Sequence, residues 1–399
     1  MIERELYIRK IRPFMNQNIV KVLTGIRRCG KSVMLQLIQE DLIKQGAEQE
    51  QFLFVNFESK SKTYLQSVET CYQHIKQFTE KSKKRVYLML DEIQELTGWE
   101  TMVNACMIDF DVDIYITGSN AKMLSGELAT YLGGRYVEFK VYPFSYGEML
   151  SAVGEEASPQ NFQRYLVQGG MPFLYQFPFQ DESVKQYLND IYSSIILKDI
   201  AERYKIRDLE QLKRIFLYFI TGIGHTFSAG NIIKYLKNER RSLSMETVYN
   251  YIEYGKSACL FHFVKREDVI GKRVLQFQEK IYLADHGMRE AIYGNNLRDI
   301  DQILENIIYM ELLRRGYEVY VGKADTQEVD FVAKKGNEKI YVQVAYLLAD
   351  ERTVEREFSV LEKIPDNYPK YVVTMDEISR SRNGIPNKNI RDFLLMNQW

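Results

Sequence analysis

The sequence predicts an α/β fold on a parallel sheet with right-handed crossovers, followed by a helical stretch, a helix-and-hairpin segment and a second α/β segment. Three observations carry this. The apolar run Ile19–Leu23 ends in a loop bounded by Gly25 and Gly30, which opens onto the apolar residues of Val33–Ile38. A second run, Val86–Leu90, ends in Asp91 and Glu92, about sixty residues further on. A third, Val112–Thr117, ends in the small polar residues Gly118–Asn120.

Bulk properties narrow the class. The 399 residues leave room for two or three domains, and 45% hydrophobic with 27% charged residues can bury real cores. A formal net charge of −1 gives no overall pull toward nucleic acid, so any DNA contact requires a local basic face. Four cysteines (Cys29, Cys71, Cys106, Cys259) without a CxxC pair argue against a disulfide framework or a zinc site and fit a reducing cytoplasm. Met1–Leu6 is charged and lacks an apolar signal core, and no apolar run approaches the roughly 20 residues that span a bilayer. The expectation is a soluble cytoplasmic protein without membrane contact.

The loop fits the spacing Gly, four residues, Gly-Lys-Ser, with Gly25, Gly30, Lys31 and Ser32 in place. Glycines let the backbone wrap a phosphate chain and turn several N–H groups inward. Lys31 would reach the β- and γ-phosphates, and Ser32 would hold magnesium. The following helix would offer its N-terminal dipole to the phosphates. The expected ligands are ATP and Mg²⁺, and the expected contact set is Gly25, Arg27, Arg28, Cys29, Gly30, Lys31, Ser32 and Val33. Arg27 and Arg28 either lie near the phosphates, pair with a neighbouring element, or are solvated loop charges. Cys29 reads as a small filler.

Asp91 would meet the magnesium through water, and Glu92 would polarise the attacking water as general base. Ser119 or Asn120, at the strand end where ligands of such sheets gather, would sense the γ-phosphate or simply form a turn. Arg135, after Gly133-Gly134, would stabilise transition-state charge in its own subunit or a neighbour, or make a structural ion pair. The five expected strands are 19–24, 52–57, 86–90, 112–117 and 136–139.

After Pro143 the pattern changes. Residues 145–220 read as helices broken by Gly169–Pro172, with Tyr187, Ile191, Ile195 and Ile196 at helical spacing. They suggest a helical lid packed on the nucleotide domain. Residues 207–293 read as a winged helix, with helices at 228–236 and 244–252, the second capped by Ser244, and a wing turning at Gly271–Arg273. Such a module binds DNA or docks onto protein. Its basic residues at 234–241 and 265–273 are mixed with acids.

With these pieces in order, the chain resembles a large prokaryotic family of AAA+-type ATPases. The matching segments are Leu23–Ser32, Tyr87–Gln94, Ile116–Asn120, Gly134-Arg135 before Tyr142–Ser145, Gly169–Pro172 and Glu328–Phe331. The family joins an N-terminal P-loop domain to a C-terminal domain of unknown function. The resemblance implies ATP binding, slow hydrolysis, and a C-terminal part similar to a PD-(D/E)XK nuclease fold. In such folds a helix carries a Glu, one strand an Asp, and the next strand Glu or Gln, a spacer and Lys. Acids hold magnesium and the Lys helps activate water. Here Glu305, Asp330 and Gln343 fall at the ligand positions, and Ala345 stands where the Lys would be. That substitution removes the cation, so the expectation is a non-catalytic fold.

The expected division is 1–143 ATPase, 144–206 lid, 207–293 winged-helix-like and 294–399 nuclease-like. The leading function is an ATP-driven switch or motor whose C-terminal module binds a protein partner, with homo-oligomerisation possible. The alternatives are an ATP-gated DNA-processing nuclease and a scaffold that binds ATP without turnover. Ala345 counts against the nuclease, and Glu92, a general base that a pure binder does not need, counts against the scaffold.

Overall fold

The computed structural model describes residues 2–59, 67–120, 132–176, 180–238, 244–269, 271, 273–324 and 327–399, with no side chains given for 235–238 and 273–278. The side chains of Lys237–Arg241, Lys272 and Arg273, part of the expected basic face and wing, lie outside the described residues. The chain divides into two compact units, Met1–Tyr142 with Ser257–Cys259, and Pro143–Lys256 with Leu260–Trp399.

The first unit holds a five-stranded parallel sheet. Its strands are β1 (Val20–Thr24), β2 (Phe52–Asn56), β3 (Val86–Asp91), β4 (Val112–Gly118) and β5 (Tyr136–Lys140), in the order β2-β3-β4-β1-β5. This is the expected parallel P-loop fold. β1, β3 and β4 are buried along their whole length, as expected of central parallel strands covered on both faces. The helices α1 (Glu5–Ile11), α2 (Lys31–Lys44), α3 (Val68–Lys81) and α4 (Trp99–Asp109) accompany them. Cys71 and Ile75 of α3 and Trp99, Val103 and Cys106 of α4 join Val22, Leu88 and Ile114 of the sheet in one apolar core.

One charge breaks the apolar run of β1. Lys21 is fully buried and ion-paired with the equally buried Asp113 of β4. Asp113 also accepts the Tyr115 hydroxyl and the Asn16 backbone N–H, both at 2.8 Å. Burial pulls the Lys21 ammonium below its usual range, against the opposing pull of Asp113. A lysine is tolerated there because a paired, hydrogen-bonded acid faces it.

The second unit contains a mixed seven-stranded sheet in the order β12-β11-β10-β9-β8-β6-β7. Its strands are β6 (Phe261–Asp268), β7 (Arg273–Leu283), β8 (Glu318–Ala324), β9 (Gln327–Lys335), β10 (Glu338–Val344), β11 (Lys370–Thr374) and β12 (Asn387–Asn389). The hairpin β6–β7 lies where the wing is expected, yet it does not stand alone. Residues 266–268 of β6 pair in parallel with 321–323 of β8. The reason is physical: β6 has one edge left open by β7, and an open edge of N–H and C=O groups is satisfied by another strand. The expected wing and the expected nuclease-like segment therefore share one sheet and one compact unit.

Helices dominate before that sheet. Asp181–Ser194 continues as a π-helix, Ile195–Glu202, and helices Ala229–Asn238 and Met245–Ser257 follow. Ser244 caps the last of these by accepting the Thr247 N–H at 3.1 Å. The Gly169–Pro172 break is held by Asp285, whose Oδ2 accepts the Gly170 N–H at 2.6 Å. Gly169 has φ +74°, and a Cβ there would lie 2.3 Å from Asp285 Oδ1, so any side chain would collide.

Candidate functional site

The loop Gly25–Gly30 runs between the end of β1 and the start of α2. Gly25 has φ +154°, and a Cβ on it would lie 2.2 Å from the Val141 carbonyl oxygen. Gly30 is left-handed (φ 100°) and delivers the chain into α2. Cys29 is fully buried and its thiol donates to Val141 O at 3.2 Å, which is packing chemistry; burial also pushes its pKa up, away from the reactive thiolate. Arg27 pairs with Glu58 just beyond β2 at 3.2 Å, one of the alternatives left open by the sequence. Arg28 and Val33 are exposed.

Lys31 is buried. Its Nζ donates to the carbonyls of Gly25 (3.1 Å) and Ile26 (3.3 Å) and lies 3.7 Å from Glu92 Oε1. Ser32 lies near enough to Asp91, the last residue of β3, to lower the pKa of its carboxyl. Lys31, Ser32, Asp91 and Glu92, about sixty residues apart in the chain, thus meet at the carboxyl ends of β1 and β3.

Three residues that sequence reasoning missed complete the set. Asn56, at the end of β2, donates to Asp91 Oδ2 at 2.9 Å. Thr117, near the end of β4, donates to Asp91 Oδ1 at 2.5 Å and accepts the Glu92 N–H at 2.8 Å. Gln94 donates to Glu92 Oε2. The available signal was positional: Asn56 and Thr117 are polar residues at the ends of buried strands. Glu92 has φ 52°, a left-handed turn that its bond to Thr117 helps to hold. Asp91 sits above the usual carboxylate range because burial disfavours its charge, while the Thr117 hydrogen bond and Ser32 pull it back down. Ser119 and Asn120 are buried immediately beyond β4.

Arg135 is elsewhere. Its carbonyl accepts the Val20 N–H at 3.0 Å, so it lies level with the start of β1, whereas Gly25 follows the end of that strand. Four strand residues at about 3.3 Å each put the two edges roughly 13 Å apart. Its guanidinium donates to Asn104 Oδ1 of α4 (2.7 Å) and Leu132 O (3.2 Å). The structure does not bring Arg135 to its own phosphate loop, and its side-chain partner is a neutral amide rather than an acid.

A second constellation lies in the other unit. Glu305 is on the helix Ile300–Arg314, Asp330 on β9 and Gln343 on β10. The Asp330 N–H donates to Gln343 Oε1 (3.1 Å), and Asp330 Oδ2 accepts the Val344 N–H (2.8 Å). Gln343 Nε2 donates to Glu357 at 2.9 Å. The expectation that this group lacks a cation is wrong. Lys280 of β7, 4% exposed, brings its Nζ to 2.7 Å from Glu328, 3.1 Å from Glu305 and 3.7 Å from Asp330. Motif reading searched the hairpin that carries Asp330 and Gln343; the lysine comes from a strand 50 residues earlier (330 minus 280), brought in by the fold. Burial opposes the charge of Lys280, but Glu305, Asp330 and Glu328 together hold it above its ordinary range. Burial likewise raises Glu305 and Asp330.

Among the described residues, no group of three or more His, Cys, Asp or Glu is arranged to hold a metal ion, and no helix is long and apolar enough to cross a membrane.

Residues 17–150 match the family model of an AAA domain, and residues 159–299 match that of a domain of unknown function. An uncharacterised protein of Haemophilus influenzae is 38% identical over 379 residues, covering 94% of this chain and 93% of its own length. An uncharacterised protein of Methanocaldococcus jannaschii is 28% identical over 380 residues, covering 91% of this chain and 81% of its own. Among solved structures, the Orc1 protein of Aeropyrum pernix in complex with DNA aligns over 75% of this chain and 94% of its own, at 11% identity and a TM-score of 0.32. That similarity is too low to carry an argument.

Proposed function

This chain belongs to a prokaryotic family of AAA-type P-loop ATPases, and on that premise we propose that it binds Mg–ATP through residues 25–32, hydrolyses it slowly and works as a nucleotide-driven switch or motor. The observation that carries the reading is the hydrogen-bonded line Asp91–Thr117–Glu92, with Lys31 beside Glu92 and Ser32 acting on the Asp91 carboxyl.

The donor set fits a magnesium nucleotide. A hydroxyl (Ser32), a carboxylate (Asp91), an ammonium (Lys31) and the N-terminus of the 14-residue α2 meet at one strand edge. When bound, the metal would neutralise charge on the phosphate oxygens. Lys31 would exchange its loop carbonyls for phosphate oxygens. Glu92 would accept a proton from the attacking water, with Gln94 holding one carboxylate oxygen and Thr117 holding the backbone. Asn120 or Ser119 would read the γ-phosphate from the end of β4. Arg135 would act only on the nucleotide of a neighbouring copy, because its own loop is out of reach. The nucleotide state would be relayed through the remaining segments (144–206, 207–293 and 294–399) to a protein partner, with DNA contact through 207–293 as a further arm. A cytoplasmic setting fits the free cysteines.

The test is calorimetry with Mg–ATP on the parent and on Lys31→Ala. The parent should bind and the variant should not, because the variant lacks the point charge on the β- and γ-phosphates. Tight binding by the variant would overturn the assignment. Steady-state hydrolysis with and without DNA, and mass measurement with and without nucleotide, test the DNA and assembly arms.

A further inference from the structure

We propose that Lys280 is a tethered cation that takes the place of a divalent metal among the acids of the second unit. The geometry points to this in four ways. One ammonium contacts three carboxylates that belong to two other elements: Glu305 on its helix, and Glu328 and Asp330 on β9. Most of the carboxylate oxygens a metal would use are already engaged. Glu328 uses Oε1 on Lys280 and Oε2 on Arg266. Glu305 Oε2 takes both Lys280 and the Tyr282 hydroxyl (3.0 Å), and Asp330 Oδ2 takes the Val344 N–H.

Gln343 is committed at both ends of its amide, to Asp330 and to Glu357. Ala345, 4% exposed, offers no charge from the hairpin itself. Finally, the lysine is anchored: Lys280 forms an antiparallel bridge with Thr226, and the carbonyls of the neighbouring strand residues accept on either side, Ile281 O from the Gly224 N–H (2.8 Å) and Glu279 O from the Phe227 N–H (2.7 Å).

The energetics favour this arrangement. Three carboxylates converging in a largely buried place repel, so each must lose its charge or share a cation. A free divalent ion asks for about six oxygen ligands and must be captured from solution. An ammonium on the same chain is always present, and offsets part of the group's charge with hydrogen bonds already in place. The cluster then stabilises the unit without metal, and without the metal-activated water that phosphodiester hydrolysis would use.

The inference is independent of the nucleotide reading and is tested on the full chain without nucleotide. Thermal unfolding is followed in EDTA and in MnCl₂ for the parent, Lys280→Met and Lys280→Met/Asp330→Asn. The parent midpoint should be the same in both. Lys280→Met should unfold earlier in EDTA and regain roughly 5 °C or more in saturating manganese. The double variant should not respond. If Lys280→Met folds only when purified with manganese, that outcome also supports the proposal. Three results would overturn it: a manganese shift in the parent that Asp330→Asn abolishes, a folded Lys280→Met with no manganese response, or a Lys280→Met that stays unfolded with and without the metal.

Discussion

The Thr117 hydroxyl donates to Asp91 Oδ1 at 2.5 Å while accepting the backbone N–H of the next residue, Glu92, at 2.8 Å. One side chain of β4 thus orients both acids at the end of β3. If Asp91 and Glu92 serve hydrolysis as proposed, Thr117 is their positioning residue.

Thr117→Val keeps shape and burial but removes both bonds. Turnover should fall about 10–100-fold, since small misplacements at a reacting centre cost that much, and Thr117→Ser should restore most of it. The pH profile separates positioning from mere packing. Burial holds Asp91 above the usual carboxylate range, and the Thr117 bond lowers it. Only ionised Asp91 helps hold magnesium, so magnesium-dependent binding is lost as pH falls through the folded value. Thr117→Val raises that value, so the loss should begin at higher pH. The effect on stability has the opposite sign: a carboxyl raised by folding favours the fold below that pH, not above it. An unchanged pH profile in the valine variant would assign Thr117 to packing.

Glu92→Gln should retain Mg–ATP and lose turnover by roughly 10²–10⁴-fold, the usual worth of general-base catalysis. Binding is measured by calorimetry and turnover by phosphate release. Equal turnover would remove Glu92 from the base role.

Arg135 lies at the strand edge opposite its own loop. If it serves a neighbouring copy, the specific turnover of the parent should rise with protein concentration, and Arg135→Ala should erase that rise; an arginine acting in trans is worth about 10³–10⁵ where it operates. Concentration-independent turnover that is equal in parent and variant would leave Arg135 as a link between Asn104 and Leu132.

The buried pair Lys21–Asp113 predicts a stability effect without chemistry. Asp113→Ala strands a buried ammonium and should cost about 3–5 kcal/mol in denaturant unfolding of the first unit. Lys21→Met/Asp113→Leu removes both charges and should recover most of that loss. A single variant as stable as the parent would contradict the burial assigned to the pair.

The sequence by itself determined the parallel sheet. β1, β3 and β4 are strands because their apolar runs must be buried on both faces, and the spacing of Gly25 and Gly30 marks the loop between the first strand and its helix. Lys31, Ser32, Asp91 and Glu92 were legible because a phosphate loop and a strand-end acid leave spacing that can be read along the chain. Tertiary structure alone decided the rest. Asn56 and Thr117 became partners of Asp91 only because β2 and β4 flank β3 in the sheet. Arg135 moved out of reach because parallel pairing of β5 with β1 sets its position along the strands. The hairpin β6–β7 lost its independence when β8 satisfied its open edge. Lys280 entered the acid cluster for the same reason: the ion group is assembled from strands and a helix distant in sequence, and no local pattern records which distant charge will neutralise a buried acid.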